Sequence, residues 1–191
     1  MVTPYSSAFR RLALIVAVAA CGDGGGAARN RLQMPAPRPV AEILQLQDDT
    51  DFAIAMSELV FAREAAVGFG RLTAPERVVF CLDALEREVN NGGFAQFFEN
   101  SSGDYALETI EALRALGATR VAALVAQAVA VFPGGRPEPD RERRQAQVGR
   151  LDNTARAKLD QLDGAFYDSP ENLAALERQY VSRHQSEFLM P

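Results

Sequence analysis

One histidine, two cysteines and 25 carboxylates are the groups from which this chain would have to build a reaction centre. His184 stands alone, so one chain cannot supply a two-histidine metal site or an H-E-x-x-H helix. It follows Tyr180 by four residues on an amphipathic stretch, which fits a partly buried structural histidine better than a general base. Cys81 lies in Val78-Val79-Phe80-Cys81-Leu82 and reads as a small buried hydrophobe. Asp83 and Glu86 share a helix face at i, i+3, as do Glu108 and Glu111, but the acids of solvated helices have the same spacing. No G-x-S-x-G marks a nucleophilic serine, and Gly22 to Gly26 lacks the lysine of a phosphate loop. The expectation is no catalytic residue, no metal and no cofactor. A hydrolase built from Glu86 and Glu88 is the remaining enzymatic alternative.

Cys21 belongs to a different chemistry. Phe9-Arg10-Arg11 supplies a positive flank, and Leu12 to Ala20 is nine residues without a polar side-chain atom. Small residues then close the run at Val18-Ala19-Ala20-Cys21. This is the layout of a secretory signal, and nine apolar residues fall short of the about 20 that a membrane-crossing helix needs. With a cysteine directly after Ala20, the segment resembles a bacterial lipoprotein signal. That resemblance implies cleavage after residue 20, diacylation of Cys21 and a place in the cell envelope facing the periplasm. Gly22, where inner-membrane retention in diderm bacteria uses aspartate, favours the outer membrane.

Residues 21–41 then form a tether. Glycines crowd its start, Pro35, Pro37 and Pro39 its end, and no apolar period runs between them. Nineteen flexible residues span about 25 Å root-mean-square, enough to hold a small domain just off a membrane.

From Glu42 to residue 191 the pattern is helical throughout, with no run of alternating β-branched residues. The spacing predicts a first long helix over 51–67. A second opens at the capping box Thr73-Ala74-Pro75-Glu76 and ends at Asn90-Asn91-Gly92-Gly93. A third covers 105–116, with Asp104 as N-cap, Leu107, Ile110 and Leu113 inward, and Gly117 after it. A fourth, capped by Thr119, is apolar enough at Val121, Leu124, Val125, Ala128, Val129 and Phe132 to be central. Charged helices over 140–148 and 153–163 follow, and a last one starts at Ser169-Pro170. The fold class is all-α: a single compact domain of about six to seven helices.

Charge is unevenly divided. From residue 21 onward 18 basic residues face 25 acidic ones, a net of −7, which disfavours direct binding of nucleic acid. Residues 42–111 hold 14 acidic residues against 4 arginines, whereas 112–191 hold 11 basic and 10 acidic residues. The candidate acidic binding surface is therefore Asp48, Asp49, Asp51, Glu58, Glu86, Glu99, Asp104, Glu108 and Glu111.

The most distinctive stretch runs from Leu85 through Glu88, Asn90, Asn91, Gly92, Gly93, Phe94, Gln96, Phe97 and Phe98 to Asn100, with Gly103 behind it. Physically it reads as a tight helix–turn–helix corner. The glycines accept positive φ, the phenylalanines enter the core, and the Gln96 and Asn100 amides satisfy backbone groups opened by the turn. An alternative reading has the glycine N–H groups facing an anion. With Leu116-Gly117-Ala118, Leu159 to Asp163, Phe166-Tyr167 and Tyr180, residues 42–188 resemble the helical domain of unknown function typified by the DNA-mimic proteins of the DMP type. That resemblance implies a homodimer whose acidic surface imitates DNA phosphates and occupies a transcription factor.

Two addresses compete. A lipidated Cys21 implies an envelope protein that binds an unknown, basic protein partner. A start at Met34 or Met56 would instead give a cytoplasmic DNA mimic.

Overall fold

The computed structural model describes residues 36–191; the expected signal segment, Cys21 and most of the expected tether lie outside them. The described residues form eight α-helices: α1 (Val40–Ile43), α2 (Asp49–Val67), α3 (Ala74–Glu99), α4 (Ala106–Leu116), α5 (Thr119–Val129), α6 (Arg141–Gly149), α7 (Asn153–Tyr167) and α8 (Leu173–Arg183). No strand occurs among them, so the class is all-α as expected.

Thr73 begins the helix on which the others pack. Its hydroxyl accepts the Glu76 N–H at 3.3 Å, and Glu76 Oε2 accepts the Thr73 N–H at 2.8 Å, completing the expected capping box. Val78, Val79, Phe80, Cys81, Leu82, Ala84, Leu85 and Val89 are all buried, so the first half of α3 is covered on nearly every side. Helices α2, α4, α6 and α7 lie against it. The sequence pattern placed α5 at the centre. In the structure α5 buries one face through Val121, Val125 and Val129 and leaves Arg120, Ala123 and Gln127 exposed. A helix with one wet face is peripheral; the all-round apolar burial belongs to α3.

Three caps differ from expectation, two of them because a side chain far along the chain provides the partner. Asp104 does not cap α4; its carboxylate pairs with Arg144. Thr119 lies inside α5, and the two open N–H groups of Arg120 and Val121 donate to the Glu171 carboxylate at 2.9 Å each. That puts a negative charge on the positive end of the helix. Ser169-Pro170 lies in the irregular stretch ahead of α8, whose N-cap is Asn172, accepting from Ala175 N–H at 3.0 Å. Gly117 ends α4 in the left-handed region, as expected.

Arg178 ties the two ends of the domain together. Its guanidinium lies 4.2 Å from the Phe52 ring centroid, donates to Leu46 O at 2.9 Å and pairs with Asp49 at 2.9 Å. α1 begins within the stretch expected as tether, with Val40 and Ile43 buried.

Candidate functional site

Gly92 and Gly93 break α3 where the sequence pattern ends it. Their backbone angles are φ −156°, ψ 22° and φ 75°, ψ −175°. Gly93 occupies the region that favours glycine, and a Cβ there would overlap the Asp163 carboxylate. The break opens the Val89 carbonyl and the Phe94 N–H, and α7 satisfies both. Asp163 Oδ1 accepts from Phe94 N at 2.7 Å, and the Tyr167 hydroxyl donates to Val89 O at 2.6 Å. Asp163 and Tyr167 are one turn apart, so a single face of α7 matches the gap. At this corner the anion facing the unpaired backbone N–H is the chain's own Asp163.

The motif's amides have a different task from the expected one. Gln96 Nε2 and Asn100 Nδ2 donate to Glu88 Oε2 at 2.8 and 2.7 Å, and Ser102 Oγ donates to Glu88 Oε1 at 3.1 Å. Glu88 is only 8% exposed, and a buried carboxylate demands donors more strongly than a turn carbonyl does. Asn91 Nδ2 extends the chain of bonds to Gln96 Oε1 at 3.1 Å. Asn90, Asn91 and Gly92 are exposed, and Phe94, Phe97 and Phe98 are fully buried.

Arg144 closes this corner from α6. It is fully buried, and its Nε donates to Phe98 O at 2.7 Å. Nη1 donates to Glu138 O at 2.9 Å and Pro139 O at 3.1 Å, and Nη2 to Asn100 O at 3.1 Å and to the Asp104 carboxylate. Gly103 makes room for it. A Cβ there would stand 2.7 Å from Arg144 Nε and 2.9 Å from the Phe97 carbonyl. The motif is thus a buried polar lock joining α3, α6 and α7.

The acidic residues have a different distribution. Asp48, Asp49, Asp51, Glu58, Glu99, Asp104, Glu108 and Glu111 are exposed. Asp48 caps α2, Asp49 pairs with Arg178, Asp104 with Arg144, and Glu111 with Arg114 at 2.6 Å. Asp51, Glu58, Glu99 and Glu108 have no ion-pair partner among the described residues. Glu86 departs from the expected surface set: it is half-buried on α3 near Asp83 and the buried Glu177 of α8. Burial raises Glu86 to about 8, with the Asp83 charge adding to it, and raises Asp83 and Glu177 as well. Glu86 and Glu88 therefore sit in separate surroundings and do not converge on one point.

Burial pushes the Cys81 thiol up to about 12, which matches the expected inert small hydrophobe. No cluster of His, Cys, Asp or Glu among the described residues is arranged to hold a metal. Arg144 and Glu177 carried no mark in the sequence. Asp163 and Tyr167 fell in the stretches quoted for the family resemblance, without their pairing across the helix break being visible.

A family model described as DMP19-like protein matches residues 70–184, from the turn before α3 to the end of α8. No curated protein and no solved structure matches the chain.

Proposed function

Because the chain belongs to the DMP19-like protein family, we propose that it is a non-catalytic protein-binding module, held in the cell envelope by lipid on Cys21. The supporting observation is a division of polar groups. The side chains of Glu88, Gln96 and Asn100 bond one another and Arg144 takes up the backbone carbonyls of Phe98 and Asn100, whereas Asp51, Glu58 and Glu108 of α2 and α4 face solvent. A lock with saturated partners holds a shape and offers no reactive group. The solvent-facing carboxylates suit a partner rich in lysine and arginine. Capture from solubilised envelope with the wild-type protein and with Asp51→Lys/Glu58→Lys/Glu108→Lys tests this. A partner lost on charge reversal supports the reading; no specific partner, with turnover of a substrate by the pure protein, contradicts it.

The family match favours a second reading, a cytoplasmic DNA mimic that occupies a DNA-binding protein. Its start would be Met34, since a chain beginning at Met56 lacks the buried Val40, Ile43 and Phe52. Palmitate labelling separates the two readings: label that depends on Cys21 supports the envelope protein, and its absence supports the mimic.

A further inference from the structure

The buried residues of α8 are Glu177, Tyr180 and Val181, so a carboxyl group stands among the few side chains that seat this helix. Glu177 is 4% exposed, yet it forms no hydrogen bond and no ion pair among the described residues. The cation next to it in the chain is engaged elsewhere: Arg178 lies over the Phe52 ring, donates to Leu46 O and pairs with Asp49 of α2 at 2.9 Å. From α3, Asp83 pairs with Arg87 at 3.4 Å and has Ser57 of α2 beside it. Glu86, one turn on, has no ion-pair partner among the described residues. From α4 the neighbour is apolar, Gly117 at the helix end lying by Leu176.

Three carboxyl groups thus meet at the α3–α8 junction with one salt bridge among them. A protonated carboxyl is a neutral group that such a junction tolerates; an ionised one is a buried charge without a partner. Burial and then the Glu86 and Asp83 charges raise Glu177, with Arg178 opposing them, and burial and then Asp83 raise Glu86. The chain is pinned outside both ends of α8. Before it, Glu171 accepts the N–H groups of Arg120 and Val121 at 2.9 Å; after it, Leu189 N donates to Glu76 Oε1 at 2.8 Å. A helix pinned in this way can lift and hydrate its carboxyl while the rest of the domain stays folded.

We propose that α8 is a proton-held latch: Glu86 and Glu177 keep their protons while the helix is seated and release them when it lifts. Opening withdraws Arg178 from Asp49 and leaves one more unpaired carboxylate on the exposed side of α2. The latch needs no bound partner. Its sign follows from the raised seated state. Between the free value of about 4.3 and about 8, each pH unit favours the lifted helix about tenfold for each proton released, and above about 8 the effect levels off.

Amide hydrogen exchange of the full chain from pH 6 to 7.5, with the base-catalysed intrinsic rate divided out, tests the latch. Amides of residues 173–183 should be protected at least tenfold less than those of residues 78–89 at every pH, because α8 opens alone. Their protection should fall about tenfold per pH unit. Glu177→Gln, which imitates the protonated group, should reduce that slope, and Glu86→Gln/Glu177→Gln should abolish it. His184, whose Nδ1 lies 2.7 Å from Glu187 beyond the last turn of α8, is the other titratable group there, and His184→Gln should keep the slope. Equal protection of α8 and α3 would overturn the proposal, since the helix would then open only with the whole domain. A flat profile in the wild type, or a slope that survives the double variant and disappears with His184→Gln, would overturn it too.

Discussion

Asp163 accepts the Phe94 N–H at 2.7 Å across 69 residues of chain, and the same carboxylate fills the space where a Gly93 side chain would begin. The helix break and α7 are thus parts of one device: glycine opens the backbone, and the aspartate satisfies what is opened.

Asp163→Ala should cost about 1–3 kcal/mol, the penalty for a buried donor left without an acceptor. Asp163→Asn keeps an acceptor oxygen and should fall between the two proteins. Urea midpoints of the three measure it; an alanine variant as stable as wild type would refute the role assigned to Asp163.

Arg144→Met leaves four carbonyl acceptors without their donor, while Asp104 keeps its solvent, and should destabilise by about 1–3 kcal/mol. Arg144→Lys should rescue little, because an ammonium cannot reproduce the fork of the guanidinium. Gly103→Ala, whose Cβ meets Arg144 and the Phe97 carbonyl, should cost about 1–3 kcal/mol. The double variant should cost less than the two effects combined, since both act on one contact. Full additivity would show that Gly103 is not there to admit Arg144.

The junction of α3 and α8 predicts a pH dependence. Glu177 is 4% exposed, and burial raises it, with the Glu86 and Asp83 charges adding to the shift; Glu86 rises to about 8. A carboxyl whose folded pKa lies above its unfolded value supports the fold while protonated, fully so below the ordinary range of about 4.3. That support is lost as pH rises through about 8. The melting temperature should fall between pH 5 and 9, and Glu177→Gln and Glu86→Gln should flatten the slope. Equal slopes in all three proteins would show that these acids are not coupled to folding.

Glu58→Lys, on an exposed position of α2, should change stability by no more than about 0.5 kcal/mol, and Asp51→Lys, in its first turn, should cost about 1 kcal/mol. Binding of a basic partner should nevertheless weaken, most at low salt, where exposed charges are least screened. Isothermal titration at two ionic strengths reads both effects. Unchanged affinity at both would place the contact elsewhere.

The sequence revealed elements and their ends more readily than partners across the chain. The capping box at Thr73 and the glycine end at Gly117 are local chemistry, complete within a few residues, and both stand as read. Asp104, Thr119 and Glu86 were misplaced because their surroundings come from α6, from the turn before α8, and from α8 itself. Leu107 matched an apolar period yet is 38% exposed, because periodicity counts apolar positions and not which of them a neighbouring helix covers. The corner at Gly92-Gly93 was legible as a break. Its closure by Asp163 and Tyr167 was not, because no local pattern records a contact across 69 residues.

The claim on which the functional account rests concerns the start of the mature chain. Mass spectrometry of native protein from fractionated cells should find the membrane fraction carrying an N-terminal Cys21 with diacylglycerol on its sulfur. Cytosolic protein with an intact leader, or a chain beginning at Met34, would contradict it and turn the acidic face toward imitation of DNA.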